Sequence, residues 1–191
     1  MSVAKIEQLR SKIISKSPIS IIKDSVELND LIVQISPEDI LSFFTFLKND
    51  SELQFNLLVD ITAIDWLDKR SERFELVYAF LSLKNLHRVR VKVAVSESAP
   101  KVKTITSLWN GANYLESEVY DMYGILFDGH PDLRRILMYE EFQGFPLRKD
   151  YPVQGKQPRI PLRSSEVRNT ALDMKRPHLV AINKRQKNSE I

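Results

Sequence analysis

Glycine is missing from the first 110 residues of this chain. All five glycines stand at positions 111, 124, 129, 144 and 155, and six of the nine prolines stand at or after position 131. Glycine opens left-handed backbone, and proline fixes φ and removes a donor, so together they dictate a backbone path rather than regular structure. The stretch from Gly124 to Pro161 is therefore expected to be ordered and irregular. It does not read as a linker, because linkers favour small polar residues. This one holds Phe127, Leu133, Ile136, Leu137, Phe142, Phe145, Leu147 and Tyr151, which require a surface to pack on. The expected organisation is an α+β body over 1–124, an ordered docking segment over 125–161 and a basic tail over 162–191.

The first part reads as mixed helix and strand. Val3, Ile6, Leu9 and Ile13 recur at helical spacing and predict an amphipathic helix ended by Pro18. Ile19 to Ile22 and Leu31 to Ile35 predict two short strands around a turn at Asn29 and Asp30. Ser36-Pro37-Glu38-Asp39 predicts a capped helix start, with Ile40, Leu41, Phe43, Phe44 and Leu47 on its buried side. Three longer strands follow over Phe55 to Trp66, Phe74 to Leu83 and Arg88 to Val95. The last alternates strictly from Arg88 to Val93, so one face is buried and the other is basic and wet. The order α-β-β-α-β-β-β predicts a mixed or antiparallel sheet covered by helices, with an extended irregular C-terminal arm. A chain of 191 residues is long enough to support one such core.

Composition removes several function classes. There is no cysteine, which excludes disulfides, thiolate nucleophiles and iron–sulfur ligation by this chain. Three histidines, His87, His130 and His178, hold no H-x3-H pair and argue against a protein-only metal site. No G-x-G-x-x-G or G-x-x-x-x-G-K occurs, so a nucleotide cradle is unsupported. No run of eighteen apolar residues and no secretory signal is visible, and a cytosolic or organelle-interior protein is expected. The net charge of +3 is unevenly placed: residues 147–191 carry 11 Lys/Arg against 4 Asp/Glu. That excess favours an acidic or polyanionic partner for the tail.

The densest chemistry lies between Thr104 and Pro152. Thr104 to Trp109 predicts a helix broken at Gly111. Asn113 with Glu116 has capping-box spacing for a second helix, and Gly124 suits its C-terminal stop. Glu118 and Asp121 share one face of that helix, whereas Glu116 and Glu118 lie roughly 200° apart and cannot serve one substrate. His130 with Asp128 or Asp132 resembles a base with its orienter, but no serine lies between Gly124 and Pro161 and no cysteine occurs anywhere, so a nucleophile would have to come from afar. The adjacent Arg134 and Arg135 must diverge. One is expected to pin the loop to its own body and the other to reach a partner. Internal pairs such as Arg134–Asp150 and Arg148–Glu118 are compatible with the spacing. The basic outer face of the Arg88 strand, together with the basic tail, suggests the competing reading of a stand-alone RNA-binding protein.

The words LESEVYDMYGILFDGHPDLRRILMYEEFQGFPLRKDYP, Leu115 to Pro152, resemble the signature of the 30 kDa subunit family (the C subunit) of respiratory NADH:quinone oxidoreductase, complex I. The family pattern is an acidic ERE helix, an aromatic-Gly-Ile turn, GHPDLRRIL and GHPLRKD(F/Y)P. Two positions depart from it: Ser117 replaces the arginine of ERE, and Phe145 replaces the histidine of the second GHP. The resemblance implies a peripheral-arm component with no redox centre of its own. It implies docking on the large quinone-site (D) subunit near the iron–sulfur (B) subunit, with no nucleic acid bound. In the assembled enzyme electrons pass from NADH through FMN and Fe–S clusters in partner subunits to quinone, and protons are pumped. The resemblance places the chain peripherally on the cytoplasmic side of the bacterial inner membrane, or on the matrix side in mitochondria. It assigns to the partner interface Glu116, Glu118, Asp121, Gly129, His130, Pro131, Asp132, Arg134, Arg135, Pro146, Arg148, Lys149 and Asp150. A homologous component of a hydrogenase-type or other donor-linked complex is the alternative within the same family.

Overall fold

The strict alternation from Arg88 to Val93 becomes the middle of a sheet. A computed structural model describes residues 3–154 and residue 157. The basic tail expected over 162–191, and most of the docking segment's last residues, lie outside the described residues. Residues 3–154 fall within one compact unit. In chain order the elements are α1 (Val3–Lys16), β1 (Lys23–Glu27), β2 (Asp30–Ile35), α2 (Ile40–Asn49), β3 (Leu57–Asp65), β4 (Phe74–Ser82), β5 (His87–Val95), β6 (Lys101–Lys103), α3 (Ala112–Tyr123) and β7 (Leu126–Asp128).

The five long strands run in the order β1-β2-β5-β4-β3. All neighbours are antiparallel except β2 and β5, which run parallel with Leu31 opposite Val89. The sheet is therefore mixed, and the α+β class expected from the element order is what forms. Leu31, Val33 and Ile35 of β2 share one buried face with Val89, Val91 and Val93 of β5 and with Leu76, Tyr78 and Phe80 of β4. Ile6, Leu9 and Ile13 of α1, and Ile40, Phe43, Phe44 and Leu47 of α2, join the same core. Phe44 meets the rings of Tyr78 and Phe80 edge-on at 4.9 Å each, and Trp109 closes on Phe80 at 4.8 Å. Aromatic edge-to-face contacts add specificity beyond area burial. Phe43 and Phe44 are thus core residues.

Several local expectations are corrected. Ile19 to Ile22 do not form a strand. The first strand is the polar Lys23–Glu27, because it pairs only as an edge strand with β2. Ser36 makes no side-chain cap: Pro37–Asp39 form a 3-10 turn and α2 starts at Ile40. Thr104 to Trp109 form a single turn rather than a helix, with Trp109 N–H bonded to Ile105 O. The spacing also missed β6 and β7, two three-residue strands that pair in parallel beside the main sheet. Strands this short carry too few residues to show alternation. β7 closely follows Gly124, so the chain past the expected body boundary begins as a paired strand. From Gly129 to Gln154 the backbone holds neither helix nor strand.

Candidate functional site

α3 is the element from which the irregular segment hangs. Its buried apolar residues Ala112, Val119 and Met122 are interspersed with buried polar ones, Glu116, Ser117 and Asp121. The helix begins after Gly111 without a side-chain cap, so the Asn113–Glu116 capping box does not form. Glu116 is used elsewhere. Its carboxylate accepts from Ile105 N–H at 2.8 Å and Thr104 O–H at 2.6 Å, tying the turn before α3 to the helix. Burial pushes the Glu116 carboxyl up to about 7, with those two hydrogen bonds opposing the rise.

Asp121 holds the next stretch. Its Oδ1 accepts from Arg135 Nη1 at 2.7 Å. Its Oδ2 accepts from the consecutive backbone N–H groups of Ile136 (3.1 Å), Leu137 (2.8 Å) and Met138 (2.8 Å). One fully buried carboxylate thus supplies the acceptors that a chain without helix or strand cannot find in itself. Burial works to raise the Asp121 pKa, but the Met138 N–H, Arg135 and the other two amides outweigh it and hold the carboxyl below its ordinary range. Arg135 also donates to Gly144 O at 3.0 Å and lies over the rings of Phe142 and Phe145.

A second clamp is absent from the sequence expectations. Asp65, at the end of β3, and Arg73, just before β4, form a buried two-bond pair at 3.0 and 2.9 Å. Asp65 also accepts from Lys149 N–H at 2.8 Å, across 84 residues of sequence. Arg73 reaches Asp150 at 2.9 Å and also pairs with Glu97. Burial raises the Asp65 pKa, but Arg73 and the Lys149 and Leu67 amides override it and the carboxyl sits low. The signal existed: Ile61, Ala63 and Asp65 share the inward parity of β3, and a charge at an inward position demands a partner.

Gly124 joins the two clamps. It ends α3 at φ +75°, and a Cβ there would lie 2.5 Å from the Phe145 ring and 2.7 Å from Arg148 Nη2. Arg148 donates to Tyr123 O at 2.6 Å and covers the Phe145 face at 4.5 Å. Phe145 therefore contacts both Arg135 and Arg148 through its ring. Ser117, the other departure from the family pattern, is buried.

The thirteen residues assigned to a partner interface separate by exposure. Glu116 and Asp121 are fully buried, and the His130 side chain is equally buried. All three find hydrogen-bond partners within the chain. His130 Nε2 lies 3.1 Å from Asn113 O, and Asp132 N–H donates to its Nδ1 at 3.1 Å. Neither expected orienter reaches it: the Asp128 carboxylate pairs with Lys101 and Lys103, and that of Asp132 with Arg134. The base-with-orienter arrangement is not assembled. Arg135, Arg148 and Asp150 belong to the clamps, and the internal pairs are Arg135–Asp121 and Arg73–Asp150. The expected Arg134–Asp150 and Arg148–Glu118 pairs do not form. Arg134 and Arg135 do diverge, the Arg134 side chain being 74% exposed against 16%. Glu118, Gly129, Pro131, Asp132, Arg134 and Lys149 lie at the surface to differing degrees, and Pro146 is half-buried. Leu137 and Leu147 stand outward beside them, 56% and 50% exposed.

No group of three or more His, Asp or Glu residues able to hold a metal ion occurs among the described residues. The arrangement is one of rigid presentation: two internal carboxylate clamps fix an irregular backbone whose outer side mixes leucines and charges.

Comparison with known proteins gives this arrangement its context. A family model described as the respiratory-chain NADH dehydrogenase 30 kDa subunit matches residues 33–157. The C subunit of NADH-quinone oxidoreductase from Rhodobacter capsulatus is 44% identical over 163 residues, covering 85% of this chain and 79% of that protein. The protein of the same name from Geobacter metallireducens is 48% identical over 126 residues, covering 66% and 76%. A solved trypsin-resistant fragment of Nqo5 superposes with a TM-score of 0.58 at 36% identity, covering 68% of this chain and 99% of the fragment. A chain of an archaeal membrane-bound sulfane sulfur reductase superposes at 0.68 with 24% identity, covering 78% and 87%, and shares the fold. With a matched family model across both clamps and relatives of this identity, the chain belongs to the 30 kDa subunit family of respiratory-chain NADH dehydrogenase.

Proposed function

We propose that this chain is a non-redox structural component of the peripheral arm of a proton-pumping NADH:quinone oxidoreductase, docking on the quinone-site (D) subunit beside the iron–sulfur (B) subunit. The observation that carries the reading is the outward set of Arg134, Leu137, Leu147 and Lys149, held on a backbone whose own polar groups are satisfied from inside by Asp121 and by Asp65 with Arg73. Leucines left in water on a fixed frame suit a permanent interface, where preorganisation lowers the cost of association. The electron carriers, FMN and Fe–S clusters, then reside on partner subunits. The position is peripheral, on the cytoplasmic side of a bacterial inner membrane or the matrix side of a mitochondrial one. No helix among the described residues is long and apolar enough to cross a membrane.

The relatives named above favour this over a hydrogenase-type or other donor-linked complex, since both are named for NADH-quinone oxidoreductase. The RNA-binding reading has little support. On the outer face of β5, Arg90 pairs with Asp30 at 2.8 Å and Lys92 lies 3.8 Å from Glu75. The aromatic rings of the irregular segment stack on one another, Phe142 on Tyr151 at 5.9 Å, rather than standing free for bases.

The test is Arg134→Ala, with Arg135→Ala beside it. NADH:quinone turnover and subunit content are measured in the same membranes. The expected outcome is a fall in assembled complex with turnover per assembled complex unchanged. Normal assembly with collapsed turnover would place these residues in the quinone chemistry instead.

A further inference from the structure

Two leucines stand at the tips of separate hairpins in backbone that disfavours them. The β1–β2 hairpin closes on Leu28 and Asn29, with φ of 51° and 65°, between the paired Glu27 and Asp30. This is the sign pattern of a type I′ turn, whose first central position favours Asn, Asp or Gly. The β4–β5 hairpin closes on Leu83 to Leu86 between the paired Ser82 and His87, and Leu86 has φ 54°. Left-handed backbone crowds the Cβ of any bulky residue. Both side chains also lie in water, Leu28 92% and Leu86 70% exposed. Each leucine therefore costs folding through strain and recovers nothing by burial within its own chain. Because β2 and β5 are parallel neighbours, the two tips emerge at the same end of the sheet. Leu28 and Leu86 flank one open cavity of about 300 Å³ with Asp30 and Arg88 in its lining.

We infer that Leu28 and Leu86 form a two-pronged docking tip that inserts into an apolar groove with a carboxylate rim on another protein of the same assembly. Strain kept at an exposed position is a mark of function, and the charge around the tip selects the occupant. Lys84 and Arg88 are exposed and have no acidic partner among the described residues. The nearby acids are engaged, Asp30 by Arg90 and Glu27 by Ser25 O–H at 3.1 Å. A second copy of this chain presents the same cations and is disfavoured. A bilayer has no use for two prongs at fixed spacing around a cavity, whereas a shaped protein surface does. The site is separate from the clamped segment. The inference rests on the assembly reading above only in taking the partner from the same complex.

The experiment compares the wild-type chain with the double variant Leu28→Asn, Leu86→Gly, which places left-handed-tolerant residues at both tips. The isolated double variant is expected to melt at the same temperature as wild type or higher. Loss of stability would show the leucines serve their own fold and overturn the proposal. In cells expressing both chains, complexes are purified through a tag on a different subunit. Wild type is expected to outnumber the double variant at least tenfold in them, since two leucine side chains leave water on docking. Arg88→Glu is expected to be under-represented in the same way. Equal incorporation of the double variant overturns the prongs, and equal incorporation of Arg88→Glu overturns the acidic rim. Leucine-dependent flotation of the isolated chain with vesicles of anionic phospholipid, or a leucine-dependent dimer in sedimentation, would replace the protein partner and overturn the assignment. A wild-type chain absent from every purified complex would overturn the assembly reading, and the tip proposal with it. A wild-type chain that assembles beside an equally assembled double variant overturns the tip proposal alone.

Discussion

Replacing Asp121 with asparagine keeps the size of the side chain and removes its charge. In the wild type four donors converge on this carboxylate: Arg135 Nη1 and the amides of Ile136, Leu137 and Met138. An asparagine offers one acceptor oxygen and turns an NH2 toward the remaining donors. A hydrogen bond to a charged group contributes about 1.5–3 kcal/mol, and stranding a buried charge costs about 3–5 kcal/mol. These do not add, because all four donors share one group. Arg135 also keeps Gly144 O and two ring faces. The lower figure of about 3 kcal/mol is therefore the better measure, and at about 1.4 kcal/mol per tenfold it opens the loop roughly a hundredfold more often. The assay is amide hydrogen exchange on the isolated protein. Protection at Ile136, Leu137 and Met138 should fall about a hundredfold, while the amides of β4 and β5 keep theirs. The pH dependence carries a sign. The folded carboxyl sits below its ordinary range, so its contribution is complete above the unfolded pKa and is lost as pH falls through the folded value. Wild type and Asp121→Asn should differ fully at about pH 6 and converge only in strong acid. A loss of protection smaller than about tenfold at that pH would refute the clamp.

Other outcomes follow from the same geometry. Glu116→Gln should flatten the pH dependence of stability. With a folded pKa near 7 against an ordinary 4.5, wild type loses stability as pH rises between those values, by at most about 3 kcal/mol. Chemical denaturation at about pH 5 and about pH 8 should show the variant close to wild type at the first and more stable at the second; an unchanged slope would sink the assignment. Gly124→Ala meets the Phe145 ring at 2.5 Å in left-handed backbone, so it should cost about 1–3 kcal/mol in a thermal melt. Arg73→Lys keeps the charge but loses the planar fork that spans Asp65, and should cost about 2 kcal/mol or more; a melt within a degree of wild type would contradict this. Arg134→Ala removes only an exposed pair with Asp132, so the melting temperature of the isolated chain should stay within a degree or two.

That the chain past Gly124 must pack on something is legible in the sequence, because Phe142, Phe145 and Tyr151 are out of place in a flexible chain. The internal wiring of that segment is not. Arg135 and Asp121 both stand out as residues, yet their pairing depends on where the chain turns back, which no local pattern records. The inward parity of Asp65 says that it needs a partner, but not which one. Asp65 and Arg73 have partners at positions 149 and 150, brought close only after the fold closes. Spacing alone gives Glu116 to a helix cap, and the tertiary position of Ile105 claims it instead.

The sequence by itself determined the α+β class, the inward face of the Arg88 strand, the core aromatics of α2 and the stop at Gly124. Those follow from periodicity and backbone sterics, which act within a few residues. It also determined family membership, through a rare run of words from Leu115 to Pro152. Only the tertiary structure decided that β2 and β5 run parallel, and that Glu116, Asp121, Arg135, Arg148 and Asp150 of the motif find partners inside the chain. A buried carboxylate must find its donors wherever the fold brings them, and distance along the chain carries no record of that choice.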